Sequence, residues 1–328
     1  MAINIKFNQR LIDELKKLVP FRNLQLKLLK DLFSIGKEAA YRRLRGDVPF
    51  SFSEACAISN KLGISLDCIA HSITGDCNAV YKLITLPKEL NFIANLNEYY
   101  MNLAYNENLL FWEKMKSKSS TEIICAHNTI PHSLLFTYPS LLRFRAFKWN
   151  YQMHRGNFDP DFSAITISKT MEQKMKDLSK NLNVCSEITL IFGRQIFISF
   201  IRQIHHFKQL GFLSDNDIEI LRNELLSLIS AIEHVATLGK SAEDKKAWIY
   251  LSNLDFETNY THLKSEDMEI SYMQIFQMHT ISSCDKWACM MTKEWVESLK
   301  KYSTLISVSG EMERIIFFEE QRKAILAI

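Results

Sequence analysis

Glycine and proline are scarce in this sequence, with 9 and 6 among its 328 residues. A turn-rich all-β protein uses more of both, so the composition favours a helical protein. The amino terminus, MAINIKFNQRLIDELKK, lacks the long apolar segment of a signal peptide. The seven cysteines are odd in number and form no tight spacing pattern, so we expect reduced thiols in a cytoplasmic protein.

Motifs that mark catalysis, metals or cofactors are also missing from the sequence. It has no Gly-rich phosphate loop, no His-Glu-x-x-His, no Gly-x-Ser-x-Gly and no paired Cys-x-x-Cys. His205 and His206 are adjacent and would diverge by about 100° on a helix, which disfavours joint metal binding. Cys284 and Cys289 are five residues apart, which is wrong for a zinc pair. We therefore expect no enzyme, no metal and no cofactor.

One stretch, residues 187–207 (EITLIFGRQIFISFIRQIHHF), is very apolar and tests for a membrane span. Arg194 and Arg202 interrupt it, and arginine inside a bilayer is costly, so we expect no membrane partner. The stretch predicts a helix that is buried at the centre of a bundle or lies in a subunit interface.

Charge is unevenly distributed along the chain. Residues 1–75 hold 12 Lys or Arg against 7 Asp or Glu, whereas the remainder holds 28 against 30. A basic segment of net charge +5 attached to a nearly neutral body indicates an anionic partner for that segment.

The segment GKEAAYRRLRG, residues 36–46, predicts a short basic helix. On a helical wheel Ala40, Tyr41 and Leu44 form one apolar stripe, and a helix this short must dock by such a stripe. Gly36 and Gly46 suit its two ends. A helix ending near Phe33, a turn of three residues and this basic helix together form a helix-turn-helix arrangement.

Periodicity and helix-end signals divide the chain into three regions. Residues 1–75 predict a five-helix helix-turn-helix domain that ends in a polar link. Residues 80–245 predict a large helical region, with a long helix opened by Thr85 and Pro87 and another capped by Ser214 and Asp217. Residues 246–328 predict a small α+β part with two or three antiparallel strands. The predicted fold class is therefore mainly α with one short antiparallel sheet.

The segment GKEAAYRRLRGDVPFSFSEACAISNKLGISLD resembles the phage-repressor-like (XRE/Cro) helix-turn-helix family. Its basic RRLRG end, the proline-bearing loop and the KLGISLD close carry the resemblance, which covers about residues 8–70. The whole chain is more loosely similar to long bacterial regulators of this class with a large, mostly helical C-terminal region. The resemblance implies a DNA-binding transcription regulator.

Residues of the basic helix are the candidate DNA contacts, because the start of a recognition helix reaches base edges in the major groove. Arg42 can bind guanine with two hydrogen bonds, Glu38 can accept from cytosine, and Ala39 can touch a thymine methyl. Phosphate contacts are expected from cations near the helix end and from amides at the start of the second helix. The full predicted set is Lys37, Glu38, Ala39, Arg42, Arg43, Arg45, Asn23 and Gln25.

Each of these assignments has a structural alternative. Arg42 and Arg43 could instead form surface salt bridges with Glu38, and Tyr41 is expected in the core rather than stacked on a base. The aromatic segments 111–112 and 144–149 are expected in the core rather than around a ligand.

The sequence therefore predicts a sequence-specific transcription regulator that binds double-stranded DNA as a homodimer. We expect the C-terminal region to dimerise and leave open a small-molecule or protein effector there. The alternative is a protein-interaction or scaffold protein whose helical body binds a protein partner, with DNA binding secondary.

Overall fold

A computed structural model describes residues 2–62, 64–67, 69–70, 81–84, 121–153, 162–181, 185–241, 244–266, 268–276 and 279–328. The chain divides into two compact units, residues 1–80 and 81–328. The link predicted before residue 80 and the long helix predicted after Thr85 lie outside the described residues, as does the aromatic segment 111–112.

The first unit is helical in its described residues. Its helices are α1 (Ala2–Leu18), α2 (Arg22–Phe33), α3 (Lys37–Arg45) and α4 (Phe52–Leu62), and residues 66, 67, 69 and 70 are also helical. Helix α1 ends just before Pro20, which cannot continue a helix. Apolar residues at helical spacing from all four helices form one core, which includes Leu11, Leu15, Leu29, Ala40, Leu44 and Ile58.

The second unit combines helices with a large sheet. Its helices are α5 (His132–Leu135), α6 (Pro139–Met153), α7 (Lys169–Asn181), α8 (Ile196–Gln209), α9 (Asp215–Leu238), α10 (Lys286–Lys301) and α11 (Glu311–Leu326). Its strands are β1 (Lys82–Ile84), β2 (Thr121–His127), β3 (Glu187–Phe192), β4 (Lys246–Ser252), β5 (Tyr260–Ser265), β6 (Glu269–Ile275), β7 (His279–Ser283) and β8 (Ser303–Leu305).

The eight strands of the described residues form one mixed sheet, in the order β1-β7-β6-β5-β2-β3-β4-β8. The neighbouring strands β2, β3 and β4 are parallel to one another, and every other pairing in the described residues is antiparallel. Helices occur in both connections between the parallel strands, which need long crossovers and usually use a helix.

The two faces of the sheet carry different layers. Helices α6, α7, α8, α9 and α11 contribute to the main core together with strand residues such as Ile123, Ile249 and Leu263. Helix α10 packs on the opposite face, where Val296 and Leu299 contact Ala126 and Ile191. The alternation of strand side chains separates these two cores.

The predicted fold class is wrong for this unit. A mainly α chain with a short antiparallel sheet was expected, but the sheet has eight strands and mixed direction. Strands β2 and β3 come from the region predicted to be helical, and they pair with strands from beyond residue 245. Strands predicted within residues 246–328 do exist as β4, β5 and β6. They were predicted to be antiparallel, but β4 pairs in parallel with β3.

The apolar stretch 187–207 is not one helix. Residues 187–192 form β3, and α8 begins at Ile196 after a turn. A buried parallel strand is apolar throughout and has no alternation to distinguish it from a buried helix. Helix α8 places Phe197, Phe200 and Ile204 in the main core. Of the helices in the described residues, none is both long and apolar enough to cross a membrane.

Candidate nucleic-acid interface

The turn between α2 and α3 sets the direction in which α3 leaves. Ser34 adopts a left-handed conformation (φ 52°, ψ 38°) and its N–H donates to the carbonyl of Lys30, which closes α2. Gly36 precedes α3 in an extended conformation, and a side chain added there would meet nothing within 4 Å. The start of α3 is therefore open to solvent.

Helix α3 is anchored by its apolar side. Ala40 is fully buried and Leu44 is 3% exposed, and the half-buried Tyr41 packs against the same core. Gly46 closes the helix in the left-handed conformation at φ 85°. The exposed residues of the helix lie outside this apolar stripe.

The outward side of α3 carries four of the predicted contacts. Lys37, Glu38, Arg42 and Arg45 are exposed, and on a helical wheel they fall within an arc of about 140°. Ala39 lies beside them and is half-buried. The arrangement presents three cations and one carboxylate on a single surface.

Arg42 and Arg45 differ in their surroundings. The Arg45 guanidinium lies 2.7 Å from the Asp47 carboxylate, and both side chains are about half exposed. In the part of the chain that the structure describes, the Arg42 side chain has no hydrogen bond or ion pair. Arg42 is therefore free to contact a ligand, whereas Arg45 would exchange an exposed ion pair for a phosphate.

Arg43 turns away from this surface and joins α3 to α4. Its Nε and a terminal nitrogen lie 3.0 and 2.8 Å from Oε1 of Glu54. The other oxygen of Glu54 accepts from the Ser51 N–H, and the Ser51 hydroxyl accepts from the Glu54 N–H. Glu54 also completes the capping box of α4. Arg43 is therefore held in a structural ion pair and does not lie where the predicted phosphate contact requires it.

The two predicted residues of α2 are placed differently from each other. Asn23 is exposed near the start of α2. Gln25 is 5% exposed, and its amide donates to the carbonyl of Val19 at 2.6 Å. Gln25 therefore ties α2 to the end of α1 and does not lie on the surface with Asn23.

Two residues of this region, Arg22 and Glu54, were not identified as functional or structural partners from the sequence. The exposed Arg22 guanidinium lies 4.6 Å from the centre of the Tyr41 ring, a cation–π contact between the start of α2 and the middle of α3. It places a further cation next to the outward side of α3. Glu54 was missed as the partner of Arg43, although the spacing of Ser51 and Glu54 is the signature of a capping box.

Metal-binding clusters and aromatic segments are the other candidate features of the sequence. No group of three or more His, Cys, Asp or Glu side chains there could hold a metal ion. Phe144 and Phe147 are completely buried in the main core, as expected for that aromatic segment.

Comparison of the chain with family models, curated proteins and solved structures finds no match.

Proposed function

We propose that this chain is a sequence-specific DNA-binding transcription regulator that reads the major groove with α3, in the manner of the XRE/Cro helix-turn-helix proteins. The observation that carries the proposal is the division of α3 into an anchored apolar side and an exposed basic side. Lys37, Glu38, Ala39 and Arg42 would reach base edges, and Arg45 and Asn23 would contact phosphates.

The proposal assigns different roles to two arginines of α3. Arg42, which has no partner among the described residues, would bind guanine, so Arg42→Ala lowers the preference at one base pair by roughly 1–3 kcal/mol. Arg45→Ala weakens binding evenly across sequences. It also lowers the slope of the logarithm of the binding constant against the logarithm of the salt concentration by the equivalent of about one phosphate contact.

A selection from random duplexes followed by fluorescence-anisotropy titrations at two salt concentrations tests these roles. Lys61→Ala is the control, because Lys61 is exposed near the end of α4 that lies away from Glu54. Equal binding by the wild type and both arginine variants would contradict the assignment.

A homodimer is part of the proposal, because a single unit of this size reads only one half-site. The outward side of α10 carries Trp287, Met291 and Trp295 at four-residue intervals, with exposures of 43%, 47% and 43%. In an antiparallel pairing of two α10 helices centred on Met291, Trp287 of each copy opposes Trp295 of the other. Exposed aromatic residues with this symmetry fit a self-complementary interface.

Light scattering of the full-length chain at micromolar concentration tests the dimer. We expect Trp295→Glu to give a monomer, while Ile316→Glu, at an exposed apolar position of α11, leaves the dimer intact. A wild-type monomer, or a dimer that survives Trp295→Glu, would contradict the role of α10.

The exposed residues Trp287, Met291 and Trp295 of α10 also favour a second candidate function, that of a scaffold protein that binds a different protein. Recovery of one specific DNA fragment from a lysate supports the regulator, and a stoichiometric protein partner that requires Trp295 supports the scaffold. We further propose a cytoplasmic location, which fits the absence of a disulfide among the five described cysteines.

A further inference from the structure

Two cysteines flank the start of helix α10. Cys284 is exposed and lies between the end of β7 and Asp285, the residue that caps the helix. Cys289 lies in the helix and is completely buried. Neither cysteine forms a disulfide in the structure. Their spacing does not suit a zinc site, but it spans a helix start, where residues five positions apart can meet.

The conformation of Asp285 brings the two cysteines together. Asp285 is extended (φ −65°, ψ 132°), and its side chain accepts from the N–H groups of Trp287 and Ala288. At a capped helix start of this kind, the residue before the cap often packs against the fourth residue of the helix. These two positions are held by Cys284 and Cys289.

A hydrogen bond fixes the position of the Cys289 sulfur. Its thiol donates to the carbonyl oxygen of Ser283 at 3.3 Å. Because that carbonyl is bonded to the Cys284 nitrogen, standard bond lengths place the Cys289 sulfur within roughly 6 Å of the Cys284 Cα atom. A disulfide requires Cα atoms about 4.4–6.8 Å apart. The position of the sulfur fits a separation of this size.

The two thiols differ in their access to solvent and in their acidity. Burial raises the pKa of Cys289 to about 11, against the smaller lowering effect of a hydrogen bond with Ser271, and the neighbouring Cys284 adds to the increase. Cys289 therefore remains a protonated, buried thiol at pH 7, which external reagents do not reach. The exposed Cys284 is the thiol that such a reagent meets first.

We propose that Cys284 and Cys289 are a redox-active pair that forms a reversible disulfide by exchange with a small disulfide such as oxidised glutathione. The Cys284 sulfur attacks one sulfur of the reagent, which breaks the S–S bond, forms a mixed disulfide and releases one small thiol. The Cys289 sulfur then attacks the Cys284 sulfur and displaces the second small thiol.

The exchange balances in electrons and protons. The two protein thiols are oxidised, the small disulfide is reduced to two thiols, and the two protein protons end on those thiols. The new bond closes the first turn of α10 covalently, and an excess of small thiol reopens it. The proposal does not depend on DNA binding.

Peptide mapping of the full-length chain after incubation with oxidised glutathione tests the proposal. Lys286 lies between the two cysteines, so trypsin cuts the intervening chain and the disulfide appears as a link between two peptides. We expect this link to form and to disappear with dithiothreitol. If both cysteines remain thiols, or if Cys284 stops at the mixed disulfide, the proposal is wrong.

Variants separate the two steps of the exchange. Cys289→Ser should accumulate at least about tenfold more mixed disulfide at Cys284 than the wild type, because the second step is blocked. Cys284→Ser, at an exposed position, should leave Cys289 unmodified. Cys56→Ser, on α4 of the first unit, is the matched control and should form the link as the wild type does. Glutathione on Cys289 in Cys284→Ser, or no accumulation in Cys289→Ser, would overturn the proposal.

Discussion

The ion pair between Arg43 and Glu54 predicts a measurable coupling between α3 and α4. Both side chains are less than one-fifth exposed, at 18% and 17%, and two nitrogens of Arg43 lie 3.0 and 2.8 Å from one carboxylate oxygen. Exposed pairs contribute about 0.2–1 kcal/mol, and hydrogen bonds to charged groups about 1.5–3 kcal/mol. We therefore expect a coupling of about 2 kcal/mol.

A double-mutant cycle measures this coupling. Arg43→Met, Glu54→Gln and the double variant are compared by amide hydrogen exchange of α3 and α4 in the full-length chain. The control cycle uses Glu14 and Lys17, an exposed pair on α1 at 2.7 Å, for which about 0.3 kcal/mol is expected. A coupling between Arg43 and Glu54 no larger than the control would refute the reasoning.

The pH dependence of stability provides a second test of the ion pair between Arg43 and Glu54. Burial acts to raise the pKa of Glu54, but the Ser51 N–H and the Arg43 charge outweigh it and hold that pKa below 4.5. The contribution of Glu54 to stability is therefore complete above pH 4.5 and is lost as the pH falls through its folded-state pKa. In Glu54→Gln this part of the acid dependence should disappear.

Two further predictions concern the second unit. Burial, and then the charge of Arg145, lower the pKa of Lys148 from 10.5 to about 7, so the unfolded chain binds more protons between these values. The stability that this group contributes rises with pH across that interval by up to about 1.4 kcal/mol per pH unit. Lys148→Met should therefore remove the increase in Tm between pH 7 and about 9.5. Equal slopes of Tm against pH in the variant and the wild type would contradict this prediction. A side chain at Gly193 would meet Oδ1 of Asn128 at 2.6 Å, so Gly193→Ala should cost about 1–3 kcal/mol in denaturant unfolding. Gly36→Ala, which meets no atom within 4 Å, is its control, and equal stability of the two variants would contradict the expected clash.

The helices of the first unit could be predicted because their signals are local. Pro20 and Gly46 mark ends, and the spacing of Ala40 and Leu44 marks the buried side of α3. The role of Arg43 could not be predicted in the same way. Its partner is 11 residues away on another helix, and helical spacing describes only neighbours on one helix.

The extent of the sheet in the second unit was underestimated because its parallel strands have cores on both faces. The strand EITLIF is apolar at successive positions in its second half, because Leu190 and Phe192 contact the main core while Ile191 contacts the core beneath α10. The parallel pairing of β3 with β4 joins residues about 60 positions apart in the sequence. No local pattern encodes a pairing over such a distance, so the sequence predicted a helix where the structure has the strand β3.

The claim that α3 enters the major groove is tested most directly by dimethyl sulfate protection of guanine N7 atoms, which lie in that groove. On duplexes selected by the full-length chain, we predict protected guanines in two half-sites about one helical turn apart. In Arg42→Ala, protection should be lost at one guanine of each half-site. Bound DNA without N7 protection, or a pattern that Arg42→Ala leaves unchanged, would contradict the account.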